Sequence, residues 1–168
     1  TVAAAAGMIS WVGVQYMRTK KVSVVGAAAG AVAGLVAITP ASGFVGAGGA
    51  LIIGLVVGGL SYTMAGLLRE RLKIDDALDV FAVHGVGGMW GAVATGIFAV
   101  AAVGGVGGLL EGNPQQLINQ LIAVGVTVAF AAIGTAVIMV IINAIFGVRV
   151  PDEHEEIGLD LAIHGEAA

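Results

Sequence analysis

His84 is the one ionisable residue inside the apolar run FAVHGVGGMWGAVATGIFAV. A neutral imidazole offers one hydrogen-bond donor and one acceptor, which suits a small polar solute or a proton relay. Counted as helix from Asp75, His84 lies ~13.5 Å along the axis. That is close to half of a hydrocarbon core roughly 30 Å thick. An ionisable group at that depth is costly and faces a cavity or a partner. Gly87, Gly88 and Gly91 follow at spacings that put them on the same helical face as His84. Without side chains there, either another backbone or a small pore occupies the space. A structural histidine bonded to a neighbouring helix is the alternative.

Three carboxylates precede this run. Asp75 and Asp76 read as helix caps, since carboxylates satisfy free N–H groups at a helix N-terminus and meet its positive dipole end. Asp79, a turn deeper, is expected to bond a neighbouring helix or the basic run Arg69, Arg71 and Lys73, with direct contact to a substrate as the rival. Ser42, after Thr39-Pro40, invites a serine–histidine dyad with His84. Such a dyad needs hydrogen-bond reach, and the topology below separates the two, so a turn capped by Thr39 is preferred. No metal site is expected: His154 and His164 lie in a polar tail, His84 is alone, and zinc takes three or four ligands. The chain has no cysteine, which removes thiolate chemistry and disulfides. The glycine-rich stretch 104–108 is no convincing phosphate loop. Neither an enzyme, a cofactor nor a nucleic-acid partner is expected.

The elements that position these residues follow from composition. Hydrophobic residues make up 58% and charged residues 11%, with mean hydropathy +1.03. Soluble domains carry about 25% charged residues, so part of the solvent is lipid. Twenty-eight glycines, mixed with alanine, let membrane helices approach closely. The chain is read as an all-α membrane protein: residues 1–150 form about five helices (about 1–17, 22–38, 44–68, 75–100 and 115–147), and 151–168 form a tail in water. The opening stretch lacks the basic region of a signal peptide and is expected to be a span that starts upstream. The last span would measure ~48 Å over 115–146, more than a bilayer core, so it tilts or projects. The seven basic residues are at 18, 20, 21, 69, 71, 73 and 149. With five alternating crossings they all fall on one side, and the positive-inside rule makes that side, and the tail, cytoplasmic.

Three stretches carry a resemblance: GAAAGAVAGLVAITPASGFVGAGGALIIG (26–54), IDDALDVFAVHGVGGMWGAVATGIFA (74–99) and GVRVPDEHEEIGLDLAIHGE (147–166). In that order the chain resembles the C-terminal half of the ammonium transporter family (Amt/MEP/Rh). The resemblance implies the second of two inverted repeats of an eleven-helix fold, plus the long final helix, in a plasma-membrane homotrimer. It implies that His84 is one of two pore histidines, its partner lying in an N-terminal half that this sequence does not contain. It places Thr39 and Val80 near the pore wall. Asp76 becomes the inward-side counterpart of a recruitment-side aspartate, more structural than transporting. The implied mechanism recruits ammonium outside, removes its proton and conducts ammonia past the histidine pair, with a relay of the proton left open. Asp160, His164, Gly165 and Glu166 fall in a tail that, by resemblance, regulates transport and answers to a PII-type protein; a solvated acidic tail is the alternative. An ammonium sensor and a Rh-like neutral gas channel are the competing functions on the same scaffold.

Overall fold

The computed structural model describes residues 1–166. They fall into two compact units, Thr1–Gly125 and one from Val126 onward. The elements are α1 (Val2–Thr19), α2 (Val24–Ile38), α3 (Ala47–Arg71), α4 (Phe81–Phe98), the short α5 (Ala101–Gly104), α6 (Pro114–Phe146) and α7 (Asp152–Ile157). α3 ends in a π-helical turn, Leu67–Arg71, and α4 begins with one, Phe81–Val86. No strand occurs among the described residues.

Local chemistry sets the helix ends. Lys20 takes a left-handed conformation (φ 57°) and donates its N–H to Tyr16, closing α1. The Ser23 hydroxyl accepts the Gly26 N–H at 2.9 Å and caps α2. After α2, a turn running to Gly46 includes Gly43 at φ 83°, a conformation that a Cβ disfavours. α3 therefore starts three residues later than the span expected from 44.

The first unit is a glycine-seamed bundle. α1 and α3 run parallel: Ala3 meets Gly54, Gly7 meets Gly58, and Trp11 meets Tyr62 edge-on at 5.6 Å. α2 runs against them, Gly30 and Gly34 facing Trp11, Gly7 and Ala3. A Cβ on Gly34 or Gly54 would overlap the carbonyl oxygen of Ala3, and one on Gly58 that of Gly7. The helices thus touch backbone to backbone, which suits a medium where dispersion and close approach replace the hydrophobic drive. Buried between α2, α3 and α4 are Ala33, Ala37, Ile53, Val57, Ala82 and Ala94. The helix ends carrying Arg18, Lys20, Lys21, Arg69, Arg71 and Lys73 share one end of this bundle.

At the other end, residues 99–113 form a hydrogen-bonded loop. Val100 N–H donates to Phe44 O, and the Glu111 carboxylate accepts the Ala101 N–H, both at 2.8 Å.

α6 has 33 residues, none of them buried, and measures ~50 Å. In the second unit, Asn143 Oδ1 accepts the Val148 N–H at 3.1 Å. α7 and a π-helical turn, Asp160–His164, follow.

Among the described residues, three helices are long and apolar enough to cross a membrane: α3, α4 and α6. α2 is apolar but has only 15 residues, and the last turns of α1 carry Gln15, Arg18 and Thr19. Of the five expected spans, the one beginning at 75 departs most. Residues 72–79 are not helical, and the π turn that opens α4 starts at Phe81.

Candidate functional site

The entry to α4 is built from its acidic residues. The Asp76 carboxylate accepts the N–H groups of Val80 and Phe81, each at 2.8 Å, supplying acceptors that the first turn lacks. Asp79 has φ 53°, in the left-handed region that short polar side chains tolerate best. Its carboxylate accepts a hydrogen bond from Arg69 Nη2 at 2.5 Å. Its own carbonyl accepts the Val83 N–H at 2.9 Å. A continuous helix through Asp75–Val80 is thereby excluded, and the axial rise counted from Asp75 does not hold. Asp75 makes no cap; the capping falls to Asp76.

Depth is set instead by packing. A Cβ on Gly87 would stand 3.4 Å from Val57 Cγ2, and the Trp90 indole N–H donates to Ile53 O at 3.1 Å. His84, nearly a turn before Gly87, is therefore level with the turn after Val57, close to the centre of α3. Trp90 is a packing residue with a satisfied N–H.

The glycines after His84 pack against α2 and α3. A Cβ on Gly91 would overlap the Ala37 carbonyl oxygen, and one on Gly88 would stand 3.9 Å from Val36 Cγ1. Gly87 is buried and His84 is exposed. His84 belongs to the π turn Phe81–Val86, at whose end the Gly87 N–H donates to the His84 carbonyl. The side-chain hydrogen bonds within α4 belong to Trp90 and Thr95, and the imidazole has none among the described residues. Val80 and Phe81 are 50% and 53% exposed, so His84 shares an open face with apolar neighbours.

Thr39 lies elsewhere. It caps the far end of α2, its hydroxyl donating to Leu35 O at 2.7 Å. α4 runs parallel to α2, with Gly91 beside Ala37, so Thr39 is more than two turns along from His84. Ser42 is further still, beyond reach of a dyad. In the second unit, Gly165 has φ 69°, and the Glu166 N–H donates to Asp160 O at 3.0 Å. Asp160 and His164 open and close the last π turn. Residues 167 and 168 of the expected tail lie outside the described residues. No cluster of metal-binding side chains occurs among the described residues.

Two features escaped sequence reasoning. One is the set of three π turns among the described residues. The other is a cavity of about 560 Å³ at the basic end, reached by Gln15, Arg18, Ser23, Tyr62, Arg69 and Asp79. Arg18 stacks over Tyr62 at 5.6 Å, on the ring that Trp11 meets edge-on.

The model of the Ammonium Transporter Family matches residues 1–168. Ammonium transporter Amt1 of Archaeoglobus fulgidus is 48% identical over 100% of this chain and 42% of its own length. The crystal structure of Saccharomyces cerevisiae Mep2 superposes with a TM-score of 0.84 at 36% identity, covering 90% of this chain and 36% of that one. A structure described as "Sensor Amt Protein" gives a TM-score of 0.84 at 31% identity, covering 96% of this chain and 40% of that one. The chain spans about two-fifths of the length of the curated relatives it matches.

Proposed function

The chain belongs to the ammonium transporter family, and from that premise we propose that it forms one wall of a membrane pathway for ammonium, with His84 in the wall. The family is one of transporters, and the chain is an all-helical, multi-pass membrane protein. The observation carrying the proposal is the exposure of an imidazole on an apolar helix, level with the centre of its neighbour. An imidazole facing lipid is costly, so this face is covered by a polar lumen or by further protein. Val80 and Phe81 extend the same face.

On this reading a bare ammonium ion cannot enter the apolar section without a large desolvation cost. It gives up a proton and passes as ammonia. His84, paired with a second histidine from another part of the protein, accepts or donates a hydrogen bond to it and offers a route for the proton. Thr39 lines the outer portion of the pathway. Asp76 and Asp79 hold the start of α4 and do not touch the solute. The assembly is a plasma-membrane homotrimer. The tail from 151, with Asp160, His164, Gly165 and Glu166, lies in the cytoplasm, where a PII-type protein would engage it. The grouping of bases in the sequence supports that orientation. Transport is favoured over sensing because the 48% identity is to a transporter and the sensor likeness is at 31%.

His84→Ala tests the proposal. In proteoliposomes holding the full-length protein, the variant is expected to lose ammonium-specific flux or to admit potassium. Wild-type flux and selectivity in a correctly assembled variant would refute the pore role. Electrical recording on ammonium addition separates charge movement from neutral gas flow.

A further inference from the structure

We propose that the Arg69–Asp79 ion pair is a positioning device that sets the rotation of His84 about the α4 axis; the role rests on the pore reading of that histidine. Arg69 sits within the π turn that ends α3, and Asp79 stands just before the π turn that begins α4. The pair, 2.5 Å from Nη2 to Oδ1, therefore joins two irregular turns across the linker 72–79. The Asp79 side chain is 19% exposed and that of Arg69 63%, so the carboxylate is the fixed partner and the guanidinium reaches in to it.

Asp79 does three things at once. Its left-handed backbone ends the linker, its carbonyl accepts the Val83 N–H, and its carboxylate is tied to α3. Nothing else in α4 before Gly87 bonds a side chain to α3. His84 is exposed while Ala82, Val83 and Gly87 beside it are buried. A rotation of α4 by one residue, about 100° at 3.6 per turn, would turn the imidazole from the open face into the packing against α2 and α3. Strained local geometry persists only where its surroundings over-determine it, and the ion pair is the side-chain tie to α3 that joins the Asp76 cap and the burial of Ala82 and Val83 in fixing this segment.

The test uses the full-length protein in proteoliposomes, with Arg69→Gln, Asp79→Asn and the double variant. Asparagine tolerates the left-handed backbone, so Asp79→Asn removes the charge and spares the conformation. Each single variant is expected to lower the ammonium-over-potassium permeability ratio about tenfold, since an ångström of misplacement costs up to about a hundredfold. The double variant should be no worse than the worse single, as for a pair acting as one unit. In a second arm, His84→Cys is labelled by a small charged thiol reagent, and adding Arg69→Gln is expected to slow labelling severalfold. A merely structural pair would leave labelling and selectivity alone in assembled protein, and that result overturns the inference. Because Arg69 is largely exposed, Arg69→Gln is expected to assemble even where the Asp79 variants do not, and it decides the matter by itself. If His84→Ala also leaves selectivity unchanged, the pore reading fails and takes this inference with it. A loss with His84→Ala beside wild-type behaviour of the pair variants sinks the inference alone.

Discussion

Gly91→Ala replaces a hydrogen by a methyl group where α4 crosses α2. The new Cβ would stand 2.8 Å from the Ala37 carbonyl carbon and 2.9 Å from its Cα, and closer still to its oxygen. Carbon atoms pack favourably at about 3.5–4.0 Å, so the helices must part by about 0.7 Å or more. Every obstructing atom is backbone, and no rotamer change relieves the overlap. Overpacking of this kind costs about 1–3 kcal/mol. Gly88→Ala is the matched control: its nearest neighbour would be Val36 Cγ1 at 3.9 Å, ordinary contact with a side chain. In detergent-solubilised full-length protein, Gly91→Ala should therefore lower the thermal transition by several degrees, while Gly88→Ala stays near wild type. Because α4 carries His84, Gly91→Ala should also reduce ammonium flux. Equal transitions for the two variants, in either direction, would refute the reasoning that backbone contact at Ala37 sets the α2–α4 distance.

Asp76→Ala removes the acceptor of two N–H groups at the start of α4 and should cost about 0.5–2 kcal/mol, read by thermal or denaturant unfolding; Asp76→Asn should recover part of it. Deleting 151–168 should change the transport rate and leave the selectivity ratio intact, checked by ammonium and potassium flux in the same vesicles; an unchanged rate would remove the regulatory role.

The helices were largely legible in the sequence because long apolar runs broken by Pro40, Gly43 and the basic clusters leave little choice of boundary. The entry to α4 was not. Asp75-Asp76-Ala77-Leu78-Asp79 contains no glycine or proline, and acidic residues there fit a helix N-terminus well. Only the left-handed backbone at Asp79 and its tie to Arg69 reveal an extended linker. The basic run containing Arg69 was foreseen as a partner of Asp79, since opposite charges near one membrane face have few other options. At Gly91 the backbone of Ala37 occupies the space, one of the two occupants that the missing side chains implied. Periodicity assumes 3.6 residues per turn throughout, and a π turn has no signature in residue type. The small residues that seam α1, α2 and α3 were visible as composition, but which backbone each one meets depends on helix crossings that only the fold determines.

Those seams have a mechanical consequence. Where Gly34 and Gly54 both rest against the carbonyl of Ala3, no side chain lies between the helices to change rotamer. Sliding one helix along another would drive carbonyl oxygens over Cα atoms, a barrier with no soft coordinate. α1, α2 and α3 therefore behave as a single casting. Thermal motion must be taken up at the linker and the terminal turns, so any gating in this chain belongs to its joints and not to its beams.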